Sequence, residues 1–101
     1  MCKSEIFAKI LRIVSLETEV SEDLILSKCK RSDIVDSRGI MVVILSEYKF
    51  SESQISSFTG FTQQSINKLK NIYPDRIRRN YLLKVIVRNI RESLDMPLRS
   101  L

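Results

Sequence analysis

The stretch KFSESQISSFTGFTQQSINKL, Lys49–Leu69, decides the reading of this chain. It holds one glycine between two short runs with helical spacing, and the second run is crowded with small polar side chains. Ser51 and Gln54 form an S-x-x-Q capping box, which starts a helix by satisfying its first free N–H groups. Ile55 and Phe58 then share the inward side. Gly60 can take the left-handed conformation that ends a helix without a Cβ clash. Thr62 can cap the following helix, whose inner face is Ile66 and Leu69. Two short helices around a tight glycine turn predict a helix-turn-helix over about 51–72.

That unit constrains particular positions. With Glu52 as the first of twenty, Ile55 is fourth, Ser56 fifth, Gly60 ninth, Ile66 fifteenth and Leu69 eighteenth. The fourth, fifteenth and eighteenth must be apolar, because the helices meet each other and their support there. The fifth must be small and the ninth needs positive φ. Each requirement is met, with Ser56 where alanine is more usual. The polar side chains then acquire a role. In a major groove, Gln63 and Gln64 can pair with adenine, and Thr62 and Ser65 can hydrogen-bond or, for Thr62, offer a methyl to thymine. Asn67, Lys68 and Asn71 lie on the exposed side, and Lys68 or Lys70 would meet phosphate. The bland alternative is a solvated polar helix surface.

Around this stretch the chain reads as one all-α domain, 1–101, of about six helices. Hydrophobic residues make up 44%, which argues against disorder, and glycine and proline occur only twice each, which argues against an all-β fold. Ile6, Ile10, Ile13 and Val14 mark an amphipathic helix over Ser4–Ser15, and LETEV is the expected break. Ser21 caps a short helix to Ser27, with Glu22 and Asp23 at its positive end. Lys28, Lys30 and Arg31 form a basic loop. Ser32 is expected to cap a long helix with Ile34, Arg38, Met41, Leu45 and Tyr48 in one stripe. Gly39 interrupts it, marking either close packing on a neighbour or close approach to a phosphate backbone. Pro74 is expected to stop the recognition helix and enter the first turn of an added C-terminal helix, about 75–94, with a frayed tail after it.

The formal net charge of +5 suggests a polyanionic partner. Residues 1–67 carry 8 Lys/Arg and 9 Asp/Glu, whereas residues 68–101 carry 9 Lys/Arg and 3 Asp/Glu, so the excess lies downstream. Arg76, Arg78 and Arg79 are placed to grip flanking backbone, and Lys84, Arg88 and Arg91 could continue that track or simply be solvated. No apolar run spans a membrane and no secretory signal is read at the start, so a cytoplasmic location is expected. Histidine is absent, Cys2 and Cys29 have no companions, and no catalytic residue, metal ligand, cofactor or small-molecule substrate is expected. Tyr81, Leu82, Leu83, Val85, Ile86, Val87 and Ile90 exceed one packed face, so a homodimer through the last helix, or a protein-interaction module, is the competing reading.

From about Ile10 to Ile72 the order of features resembles the C-terminal DNA-binding domain of the bacterial replication initiator DnaA. The short helix ending DLILSKCKRSD, the basic loop, the long helix IVDSRGIMVVILSEY and the helix-turn-helix come in that family's sequence. The resemblance implies a Trp-repressor-like helix-turn-helix fold that binds double-stranded DNA in replication initiation or transcription regulation. It implies that Lys28, Lys30 or Arg31 reaches phosphates or the adjacent minor groove; Arg38 and Ser51 are also expected among the backbone contacts. The family's alanine-arginine-x-arginine pattern reads Val35, Asp36, Ser37, Arg38 here, and its aspartate-histidine-threonine-threonine-valine signature reads Thr62, Gln63, Gln64, Ser65, Ile66. The initiator's own box is therefore not the expected target. No phosphate-binding glycine loop occurs, so no ATP hydrolysis is expected.

Overall fold

The computed structural model describes residues 2–99, and these form six helices with no strand. They are α1 (Lys3–Thr18), α2 (Glu22–Ile25), α3 (Ser32–Glu47), α4 (Glu52–Thr59), α5 (Gln63–Arg79) and α6 (Tyr81–Arg99). The all-α class and the helix number are as the sequence predicts.

Helix α3 is the centre, packed against α1, α2, α4 and α5. Every residue from Gly39 to Leu45 is buried, so the single apolar stripe expected of this helix is in fact a ring. A helix apolar all round belongs inside the domain, whatever stripe its spacing suggests. Phe7, Ile10, Leu11 and Val14 of α1 cover one side of the core. The Phe7 and Phe58 rings stack with centroids 5.1 Å apart, and Phe50 meets Phe58 edge-on at 5.8 Å, which ties α1 to α4. Helix α6 lies on α1 and α5 and contributes Leu83, Val87, Ile90 and Leu94 to the same core.

Several expected boundaries move. Arg31, not Ser32, is the residue before α3, with no side-chain cap; Ser32 is already helical. Pro74 does not stop α5 but sits inside it. An interior proline costs a backbone hydrogen bond and about 3 kcal/mol. Tyr73 and Ile77, on either side, are both buried, and burial of such side chains at about 1.5–3 kcal/mol each offsets that cost. The break falls instead at Asn80, which is extended and whose Oδ1 accepts from the Leu83 N–H at 3.1 Å, capping α6. Helix α6 accordingly starts at Tyr81 rather than near residue 75, and its backbone stays helical to Arg99 rather than fraying after Leu94. The end of the tail, residues 100–101, lies outside the described residues. No helix among the described residues is long and apolar enough to cross a membrane.

Gly39 is settled in favour of packing. A Cβ built there would lie 2.4 Å from two ring carbons of Tyr73. The glycine lets α5 seat its tyrosine against α3 and is itself buried.

Candidate nucleic-acid interface

The α4–turn–α5 unit is assembled by side chains that satisfy nearby backbone groups. Ser51 accepts from the Gln54 N–H at 3.1 Å, and the Gln54 Oε1 accepts from the Ser51 N–H at 2.9 Å, completing the capping box. Gly60 takes φ +83 with nothing near its would-be Cβ, so the requirement there is conformational and not spatial. Ser56 donates to the Phe61 carbonyl at 2.5 Å, which gives a reason for serine at the position where alanine is usual. Thr59 donates to the Ile55 carbonyl at 2.7 Å and accepts from the Phe61 N–H at 3.2 Å. Thr62 then caps α5 by accepting from the Ser65 N–H at 3.1 Å.

Behind this unit Ile55 and Ile66 are fully buried and Leu69 is half-buried in the common core. In front, Thr62, Gln63, Gln64, Ser65, Asn67 and Lys68 are all exposed. One side of α5 is therefore anchored and the other open. Gln63, Gln64 and Lys68 have no side-chain partner among the described residues, whereas Asn67 donates to Glu52 Oε2 at 2.9 Å and accepts from Asn71 at 3.1 Å. The same carboxylate lies 3.8 Å from Lys70. Glu52 is a residue that sequence reasoning treated only as the start of α4. Nothing in the local pattern signals that its carboxylate reaches across to α5.

The expected backbone-gripping cations separate into two groups. Lys28 and Lys30 are exposed and lack an ion-pair partner among the described residues. Arg31 beside them is held by Asp33, with Nη2 to Oδ2 at 2.9 Å. This bond raises the arginine's affinity for its proton and lowers the aspartate's below the ordinary carboxylate value. Arg38 is half-buried and turned inward. Its Nε donates to the Ile25 carbonyl at 3.0 Å, and its Nη2 donates to Ser27 and Cys29 carbonyls at 2.7 and 3.1 Å. Burial lowers its affinity for the proton, though an arginine remains charged.

Arg76, Arg78 and Arg79 lie in the last turn of α5 rather than beyond it, where cations suit the helix C-terminus. Arg76 forks onto Asp36 at 2.9 and 3.2 Å, and Tyr73 donates to the same carboxylate at 2.7 Å. Burial first, then this bond, pushes the Tyr73 hydroxyl well above its ordinary value. Asp36, which stands where the resembled family has an arginine, thus binds α3 to α5. Arg78 and Arg79 both engage Asp75, the latter at 3.1 Å. Arg91 of the last helix pairs with Glu47, which raises the arginine's affinity for its proton, while Lys84 and Arg88 stay exposed.

The apolar excess of α6 is largely absorbed. Leu83, Val87 and Ile90 are buried and Val85 and Ile86 half-buried. Tyr81 and Leu82 remain open, 80% and 65% exposed. Among the described residues no three His, Cys, Asp or Glu side chains gather into a metal-binding group. Comparison of the chain with protein-family models, with curated proteins and with solved structures found no match to any of them.

Proposed function

We propose that this chain binds double-stranded DNA sequence-specifically through the N-terminal half of α5, as a stand-alone helix-turn-helix protein similar to the DnaA C-terminal domain. The observation that carries this reading is the open row Thr62, Gln63, Gln64 and Ser65 at the start of a helix whose opposite side is buried. Glutamine amides present a donor and an acceptor together, the pattern that an adenine edge accepts in the major groove. Lys68 lies one turn further on, within the exposed side that would face the duplex. Lys28 and Lys30, exposed and without an ion-pair partner among the described residues, supply cations for the sugar–phosphate backbone. The departures from the DnaA signature direct the protein to a different element. Its place is in transcription regulation or replication initiation in a bacterial cytoplasm.

The test is selection of bound duplexes from a random pool at two salt concentrations. A shared sequence motif should emerge, and affinity should fall steeply with salt. Gln64→Ala should weaken the selected sequence by about 1–3 kcal/mol and leave random duplex binding unchanged. Equal losses on both sequences, or no enrichment at low salt, would remove the reading.

A second reading is favoured by one observation, the exposed Tyr81 and Leu82 at the start of α6. It takes α6 as a contact for a second copy or another protein. Sedimentation of wild type and of Tyr81→Ser/Leu82→Ser separates the two, because only an interface there makes self-association depend on these side chains.

A further inference from the structure

Arg38 touches both parts of the proposed interface. Its three hydrogen bonds end on the carbonyls of Ile25, Ser27 and Cys29, alternate residues of the segment that leaves α2 and leads into Lys28–Arg31. Its guanidinium also lies over the Phe61 ring, 5.1 Å from the centroid. Phe61 is the last residue before the Thr62 cap, and its own backbone is held by Ser56 and Thr59. The Cys29 N–H is bonded to Ser27 Oγ at 3.1 Å, so the loop segment is shaped from within as well. A planar fork that both donates sideways and stacks on a ring is a guanidinium property, and an ammonium lacks it.

We propose that Arg38 is a positioning residue. It holds the basic loop and the α4–α5 turn as one rigid unit, which sets the register between Lys28 and Lys30 and the N-terminus of α5. Its relevance to a duplex rests on the DNA-binding reading; its role in coupling loop to turn does not. This differs from a direct phosphate contact by Arg38, because the nitrogens that carry the bonds, Nε and Nη2, already serve protein carbonyls.

The two roles separate in Arg38→Lys, which keeps the charge and loses the fork. Each neutralised phosphate contributes about 0.9 to the slope of log affinity against log salt. With random-sequence duplex as probe, loss of register for Lys28 and Lys30 lowers that slope by about two. Lys28→Ala/Lys30→Ala should lower it equally, and adding Arg38→Lys should lower it no further. A slope unchanged in Arg38→Lys, or additive losses, overturns the proposal, and a merely structural defect changes the folded fraction without changing the slope. Amide exchange without DNA gives an independent measure. In Arg38→Lys the amides of Cys29 and Phe61 should both exchange about tenfold faster or more, while those of α1 stay unchanged. Phe61→Leu, which leaves the three carbonyl bonds in place, should also speed Cys29. Exchange that stays put, or rises uniformly along the chain, overturns the coupling. If wild type binds no duplex, the DNA-binding reading fails while the exchange data still decide what Arg38 does.

Discussion

Replacing Gly39 by alanine sets two effects of known sign against each other. On helix propensity alone the change stabilises α3 by about 1 kcal/mol. Against it stands the ring of Tyr73, with Cγ and Cδ1 only 2.4 Å from the new methyl and Cδ2 at 2.6 Å. Ordinary carbon contacts lie at about 3.5–4.0 Å, so roughly 1 Å of movement must be found. The ring cannot give easily. The clash is at its root, and its hydroxyl is fastened to Asp36 at 2.7 Å, itself gripped by Arg76. Overpacking costs about 1–3 kcal/mol, and disturbing a hydrogen bond to a charged group about 1.5–3 kcal/mol more. The net expectation for Gly39→Ala is a loss of about 1.5–5 kcal/mol, which for a domain of this size lowers Tm by roughly 7–24 °C. Thermal and urea unfolding measure it directly. The companion variant is Tyr73→Ala, which removes Cγ and the whole ring. Gly39→Ala placed in that background should lose most of its cost. A single Gly39→Ala chain as stable as wild type, or more so, would refute the claim that close seating of α5 on α3 dictates this glycine. So would an undiminished cost in the Tyr73→Ala background.

Three further outcomes follow from named contacts. Tyr73→Phe should lose about 1.5–3 kcal/mol near neutral pH by leaving Asp36 without its hydroxyl donor. Because the folded state raises the Tyr73 pKa, that residue's contribution is full below the ordinary tyrosine value of 10.0 and fades as pH rises through the higher folded value; stability curves against alkaline pH should therefore fall less steeply in the variant, and parallel curves would contradict this. Pro74→Ala should raise stability by roughly 1–3 kcal/mol, since the proline is exposed inside a continuous helix; calorimetry showing a loss would mean that the proline shapes the packing of Tyr73 and Ile77. Glu52→Gln should tighten binding to random duplex two- to threefold, as removal of one charge about 8 Å from phosphate in water is worth about 0.5 kcal/mol; weaker binding in a filter or fluorescence assay would show that the Glu52 bond to Asn67 matters more than its charge.

What could be read without coordinates is what the chain settles within a few residues of itself. Ser21, Ser51 and Thr62 cap their helices, and Gly60 turns the chain with positive φ, because each acts on backbone groups no more than about one turn away. The open polar row of α5 was legible too, since helical spacing alone puts Ile66 on one side and Gln63, Gln64 and Lys68 on others. Tertiary structure decided the rest. Pro74 lies within a helix because burial of Tyr73 and Ile77 outweighs a local rule, and Gly39 is a packing site because a residue 34 positions later needs its space. Which cations are free and which are spoken for depended on partners far along the chain: Asp36 for Arg76, Glu47 for Arg91, and three loop carbonyls for Arg38. Charge counts and periodicity carry no information about such pairings, because they arise only when folding brings distant segments within the few ångströms over which a hydrogen bond acts.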